Sequence, residues 1–337
     1  MKAFKLLLKI LFVAAIAVII TLIYSYYKLN AKISSSNEVF IKIPEKTTIE
    51  QTVQILNSDS ILTPEWFFIS FVKFYSKIYD KKIISGCYKF APETTNLQII
   101  RSIFSGTNQF TTKVTYPEGI TLTQFASISS KKLGIDSAEF IHLAYSDSFL
   151  KPLGINTKSA EGYLLANTFE FYCDMSVTEV LKKLIDSQNK TWIERFAVKA
   201  KSSKLSKKEI LTLASIIEAE SPLASERPRI AGVYYNRLKK GLKLEADPTV
   251  QYIIGHKTRL LYKDLKIDSP YNTYMYTGLP PTPINSPSIS SIEAVINPEE
   301  HNYLFFVAVG DGSGRHNFSA TFANHKKKVV QFRKRVN

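Results

Sequence analysis

Two acids, Glu218 and Glu220, stand two residues apart where a long apolar run ends. Upstream of them, starting at Ser206, the residues Ile210, Leu211, Leu213, Ala214, Ile216 and Ile217 leave no wide polar face. That pattern predicts a helix buried in a core rather than one lying on it. Glu218 continues the stripe of Leu211 and Ala214, and Glu220 stands in the same relation to Leu213 and Ile216. At least one of the two is therefore expected to be partly buried. Desolvation raises a carboxyl pKa because the charged form loses its water, and a carboxyl protonated near neutral pH can donate to a leaving oxygen. Glycosidic bond cleavage needs such a donor. The competing reading is a pair of solvated acids at a helix end, since Glu is rarely buried unpaired.

Other chemistries find weaker support. Ser129 and Lys132 form an S-x-x-K, as do Ser187 and Lys190, but the S-D-N and K-T-G that accompany a serine nucleophile of that kind are absent. Gly310, Gly312 and Gly314 follow a predicted strand over 303–309, yet their spacing is not that of a phosphate loop and no helix is signalled after them. His142, His256, His301, His316 and His325 are dispersed and make no zinc motif, so no metal or cofactor is expected. His316, between a glycine-rich turn and an aromatic residue, is either a ligand contact or a satisfied structural histidine. Cys87 and Cys173 allow one disulfide at most and do not require it.

The elements that must position these groups fill an ordinary globular chain of 337 residues, 45% hydrophobic and 22% charged. A net charge of +15 points to an acidic partner: nucleic acid, an anionic membrane surface or a cell-wall polymer. The absence of zinc-finger spacing and of an aromatic RNA-binding signature disfavours nucleic acid. Lys2, Lys5 and Lys9 precede an uncharged run over 10–27 that is just long enough to span a bilayer, with Tyr24, Tyr26 and Tyr27 placed as interfacial anchors. A cleaved signal peptide is the rival, but NAKISSS after bulky tyrosines is a poor cleavage site. The expected order is a cytoplasmic tail over 1–9, a transmembrane anchor over 10–27 and a linker over 28–38. A small module follows over 39–112, with strands at Val39 to Ile43 and Gly86 to Phe90 enclosing helices over 49–56 and from Pro64 onward. Its strand-helix-helix-strand order resembles the LysM-like peptidoglycan-binding domain.

Beyond it, helices are predicted over 95–105, 122–133, 137–145, 177–200 and 226–240, with a strand over 110–116. SAEGYLLANTFEF over 159–171 reads as an extended segment, lining a groove or lying in the core. EADPTVQY, SPYNTYMYTGLPPTPINSP and the stretch after Ile296 read as turns, long enough inside a compact domain to suggest function.

Six motifs in order resemble one family. They are ASIIEAES at 214–221, SERPRIAGVYYNRLKKGLKL at 225–244, DPTV at 247–250, SPYNTY at 269–274, GLPP at 278–281 and RHNFS at 315–319, with EGYL at 161–164 upstream. The family is that of the YceG-like endolytic murein transglycosylases. The resemblance implies a mixed α+β catalytic domain over 113–337 behind the anchor and the LysM-like module. It also implies an inner-membrane enzyme, its bulk exported to the periplasm, that cuts peptidoglycan glycan strands internally between N-acetylmuramic acid and N-acetylglucosamine, near the cell-wall synthases. By the same resemblance the catalytic acid falls on Glu218, and Glu220, Asp247, Tyr271, Asn272 and His316 are candidates for orienting the sugars. Departures from the family pattern fall on Glu245, Ala246, Thr282 and Arg315, and on LLAN at 164–167. Two other classes stay open: a non-catalytic membrane-tethered peptidoglycan-binding scaffold, and a hydrolase in which Asp247 activates water.

Overall fold

The computed structural model describes residues 2–58, 61–173, 175–256 and 259–336. They form two compact units, one of residues 1–112 with 170–174 and one of residues 113–169 with 175–337.

The first unit begins with α1 (Lys2–Asn30), which over Phe4–Asn30 is long and apolar enough to cross a membrane. Next come β1 (Val39–Ile43), α2 (Ile49–Ser58), α3 (Glu65–Tyr79), β2 (Gly86–Phe90) and α4 (Asn96–Ser105). The strands pair antiparallel from Val39 opposite Phe90 to Ile43 opposite Gly86. Alternation turns Ile41, Ile43, Tyr88 and Phe90 inward. They meet Val53 and Leu56 of α2, Phe67, Phe68 and Val72 of α3, and Ile99, Ile100 and Ile103 of α4 in one core. Thr95 caps α4 in a reciprocal box with Gln98. The end of α1 is stitched to that cap: the Asn96 amide donates to Ala31 O at 2.9 Å and Asn96 Nδ2 to Lys28 O at 2.9 Å. Cys87 and Cys173 are joined by a disulfide, their Cα atoms 5.9 Å apart, which closes the question the sequence leaves open.

The second unit is mainly helical. β3 (Thr111–Thr115) and β4 (Thr168–Tyr172) pair in a two-stranded sheet. Between them come α5 (Leu122–Leu133), α6 (Ser137–Ala144) and the single turn α7 (Asp147–Leu150). The expected extended segment over 159–171 is a strand only from Thr168. Its earlier half is a buried turn in which the Pro283 ring leaves no room for a Cβ on Gly162, at φ +77°. The long basic helix is α8 (Val177–Thr191), continued through one wide π turn into α9 (Ala197–Ala200). Ser129 of the S-x-x-K pattern is buried and hydrogen-bonded to the Tyr116 hydroxyl at 2.7 Å, a core contact.

At the centre lies α10 (Lys207–Glu220), whose residues Ile210 to Ile217 are all buried. Each large aliphatic side chain there contributes about 1.5–3 kcal/mol by leaving water. Around α10 pack α11 (Arg227–Lys239), α12 (Asp247–Ile254) and α13 (Ile289–Ile296). The hairpin β5 (Phe305–Ala308) and β6 (His316–Ser319) and the basic helix α14 (Phe322–Val336) complete the unit. DPTV, read as a turn, is the start of α12, with Pro248 in the first turn, where its missing N–H has no partner to lose.

Candidate active site

Ser206 starts α10 with a capping box: its hydroxyl accepts from the Glu209 amide, and Glu209 Oε2 accepts from the Ser206 amide at 2.8 Å. The other end of the helix carries the two acids. They are two positions apart, hence about 200° apart around the axis, and the structure gives them different neighbours.

Glu218 faces α11 and α13. Its Oε1 accepts from Arg227 Nη2 at 3.0 Å, and its Oε2 from the Ser288 amide at 2.9 Å, from Ser291 Oγ at 2.8 Å and from Ser288 Oγ. Only 8% of its side chain and 7% of that of Arg227 are exposed. Arg227 in turn donates to Ser290 Oγ at 2.6 Å and to Ser221 O at 3.3 Å. This closed cluster ties three helices together, and Glu218 does not line the cleft described next.

Glu220 faces a cleft of about 350 Å³ lined also by Tyr234, Arg237, Glu245, Asp247, Tyr274, Phe305, Phe306, His316 and His325. The one hydrogen bond recorded for its carboxyl among the described residues comes from the Tyr234 hydroxyl, 3.0 Å from Oε1. Burial pushes the Glu220 carboxyl up to about 7; the charge of Asp247 adds to the rise and the Tyr234 hydrogen bond opposes it. The C-terminal end of a helix also disfavours negative charge. The result is an acid that holds its proton more tightly than an exposed carboxyl and lines the cleft.

Asp247 opens α12, with Oδ1 accepting from the Tyr274 hydroxyl at 2.5 Å. Burial and Asp247 together drive the Tyr274 phenol well up, so it stays a donor. His316, on β6 opposite Ala308, is held by Glu226: Nδ1–H donates to Oε2 at 2.8 Å, and the backbone amide donates to the same carboxylate at 3.0 Å. Its ring lines the cleft. Phe306 packs edge-on against both His316 and Tyr234, and with Phe305 supplies an aromatic wall against which a sugar face can lie. Arg237 is ion-paired with Glu245 and donates to Lys243 O at 2.8 Å and Leu304 O at 3.0 Å, pinning this wall to α11.

The structure thus brings together Glu220, Asp247 and His316, and leaves Glu218, Tyr271 and Asn272 outside the cleft. Asn272 is fully buried and shapes the loop: Nδ2 donates to Leu265 O at 3.1 Å and Ile267 O at 2.8 Å, while Oδ1 accepts from the Tyr274 amide at 3.0 Å. Tyr271 bonds to Thr282 Oγ1 at 2.6 Å and packs on Tyr252. Tyr234, Tyr274, Glu226 and Arg237 escaped the sequence reading as site residues. Tyr274 closes the SPYNTY motif and carried a signal; Tyr234 looked like one more apolar position of α11. Among the described residues no group of three or more His, Cys, Asp and Glu side chains is placed to hold a metal ion.

Known proteins resemble this chain in sequence and, in one case, in solved structure. The model of the YceG-like family matches residues 41–331. The endolytic murein transglycosylase of Bacillus subtilis is 34% identical over 309 residues, 87% of this chain and 84% of that protein. The endolytic murein transglycosylase of Streptococcus pneumoniae serotype 2 is 26% identical over 306 residues, 82% of this chain and 55% of its own length. A crystal structure of a YceG-like protein from Listeria monocytogenes superposes with a TM-score of 0.61 at 30% identity, covering 87% of this chain and 99% of that one. With its sequence matched from β1 into α14 and its architecture shared with a solved member, the chain belongs to the YceG-like family.

Proposed function

We propose that this protein is an endolytic lytic transglycosylase that cleaves the bond between N-acetylmuramic acid and N-acetylglucosamine within peptidoglycan strands, with Glu220 as its acid and base. The observation that carries this reading is the Glu220 carboxyl at the end of a buried helix, opening on a cleft beside Asp247 and aromatic side chains, with burial raising its pKa. The names of the relatives supply the substrate class. Glu220 gives its proton to the glycosidic oxygen as the bond to muramyl C1 breaks. The C6 hydroxyl of the same muramyl residue then bonds to C1, and its proton returns to Glu220, leaving a 1,6-anhydro end. Protons balance within the one carboxyl and no water is consumed, so a second catalytic carboxylate is not obligatory. Asp247 supplies negative potential for the positive charge that develops at C1, and Tyr274 orients it.

In this reading Glu218 has an architectural part. Its two oxygens take four hydrogen bonds from α11 and α13 and fix the end of α10 that presents Glu220. His316, oriented by Glu226, is a sugar-binding donor or acceptor at the cleft wall. Asn272 and Tyr271 hold the loop that carries Tyr274. The first unit, with its antiparallel β1–β2 pair flanked by α2 and α3, is read as a LysM-like glycan-binding module, and α1 as a single-pass anchor with the body on the exported side. Nascent strands emerge at that membrane surface, which makes the cell-wall synthases natural neighbours. Mass spectrometry of strands incubated with the detergent-solubilised protein tests the reaction: anhydro-muramyl ends support it, reducing ends mean a hydrolase, and binding without cleavage means a scaffold.

A further inference from the structure

Helix α3 carries apolar side chains on a face that the protein leaves open. Trp66, Phe74 and Ile78 lie on one i+4 ridge and are 66%, 62% and 57% exposed. Lys77 and Lys73, the latter ion-paired with Glu50, lie beside the ridge. Phe67, Phe68 and Val72 of the same helix are in the core, so α3 carries apolar side chains both inward and outward. A soluble surface has no use for such a face, whereas a helix lying in a lipid interface has this composition, with lysines whose stems cover apolar surface while their ammonium groups reach the headgroups.

The position of α3 relative to α1 says what covers it. The uncharged run over 10–27 extends about 27 Å at 1.5 Å per residue, against about 30 Å of bilayer hydrocarbon. Its last turn, with Tyr24, Tyr26 and Tyr27, therefore leaves the membrane at the headgroup boundary, where tyrosine is favoured. The Trp66 ring stacks on Tyr24, centroids 6.3 Å apart and 8° from parallel, and Phe67 meets Tyr24 edge-on at 5.4 Å. The junction is held rather than loose, because Lys28 O and Ala31 O are both bonded to Asn96 of α4. The start of α3 is thereby fixed at the depth where α1 leaves the lipid.

We propose that the ridge Trp66–Phe74–Ile78 of α3 is seated in the interface of an anionic bilayer, so that the first unit lies on the membrane instead of standing off it on α1. This rests on the reading of α1 as an anchor. A glycan-binding module held in this way keeps its substrate strand within reach of the membrane surface.

Tryptophan fluorescence tests it on the full chain in nanodiscs of phosphatidylcholine and phosphatidylglycerol. Trp66 and Trp192 are the chain's two tryptophans. Replacing both by Phe gives a background in which single tryptophans are introduced as Phe74→Trp, Ile78→Trp or Tyr24→Trp. Positions 74 and 78 are exposed and tolerate the change. The expected result is loss of most of the emission of all three to lipids brominated in the upper acyl chain, with shielding from aqueous acrylamide. If Tyr24→Trp is quenched by brominated lipid while positions 74 and 78 stay open to acrylamide, the anchor stands and the seated helix is overturned. Shielding of 74 and 78 without lipid quenching means that protein covers the ridge, which also overturns it. Failure of brominated lipid to reach Tyr24→Trp sinks the anchor and the proposal together.

Discussion

Replacing Glu218 by Gln should weaken the fold much more than it weakens the chemistry. The glutamine keeps the shape and one acceptor oxygen. Its NH2 group, however, must face either the Arg227 guanidinium or the Ser288 backbone amide, a donor against a donor. Arg227, 7% exposed, loses its counter-charge. Removing one partner of a buried ion pair costs about 3–5 kcal/mol, a large share of the roughly 5–15 kcal/mol that holds a domain together. For a unit of this size the melting temperature should fall by on the order of 10 °C. The assay pairs urea unfolding with anhydro-product formation at equal folded fraction. Loss of a general acid removes about 100- to 10,000-fold in rate, whereas Glu218→Gln should stay within about tenfold of wild type. An unfolding midpoint equal to wild type, together with an inactive enzyme, would mean that Glu218 does chemistry and that its partners have been misread.

Glu220→Gln should have the opposite signature in stability. A carboxyl raised from 4.5 to about 7 binds its proton more tightly when folded. Its penalty is therefore absent below about pH 4.5, builds through that window and is complete above pH 7, amounting to about 3 kcal/mol. The variant should gain on wild type by up to that amount between pH 4.5 and 8 in denaturant titrations; a constant difference refutes the shift. Glu161, 2% exposed and pushed up to about 8 by burial, should behave alike over pH 4.5 to 8 when changed to Gln, with a gain of a few kcal/mol. Its place behind Tyr252 and at the start of α5 lets the Leu122 amide keep its acceptor. His316→Ala and Glu226→Gln should each lower kcat/KM, and the double change should fall short of their sum by about 0.5–3 kcal/mol, because one residue acts through the other. Additive losses would separate them.

How far the sequence reveals this site depends on the range of the contacts involved. The buried helix α10 is legible because its apolar residues surround the axis and Ser206 with Glu209 marks its start; both are local signals. The strands of the first unit are equally clear, being short alternating runs bounded by turns. Which of the two acids faces the cleft is not legible. Glu218 and Glu220 have the same type and nearly the same position, and what separates them is Arg227, Ser288 and Ser291 on one side and Tyr234 on the other. Three of these belong to helices whose packing no local pattern encodes. Helix α13 escaped because its cap, Ser288, lies in a stretch of prolines and serines that reads as loop. The basic helix α14 escaped because its lysines and arginines mask a narrow apolar stripe. Tyr271 and Asn272 were drawn in by their motif; in the structure Tyr271 bonds to Thr282 and Asn272 accepts from the Tyr274 amide.

The most direct measurement is mass spectrometry of peptidoglycan strands incubated in parallel with wild type, Glu220→Gln and Glu218→Gln, each at matched folded concentration. With Glu220 as the acid, wild type and Glu218→Gln produce 1,6-anhydro-muramyl ends at internal positions, and Glu220→Gln produces none. Anhydro ends from a folded Glu220→Gln, or their loss from a folded Glu218→Gln alone, would contradict it.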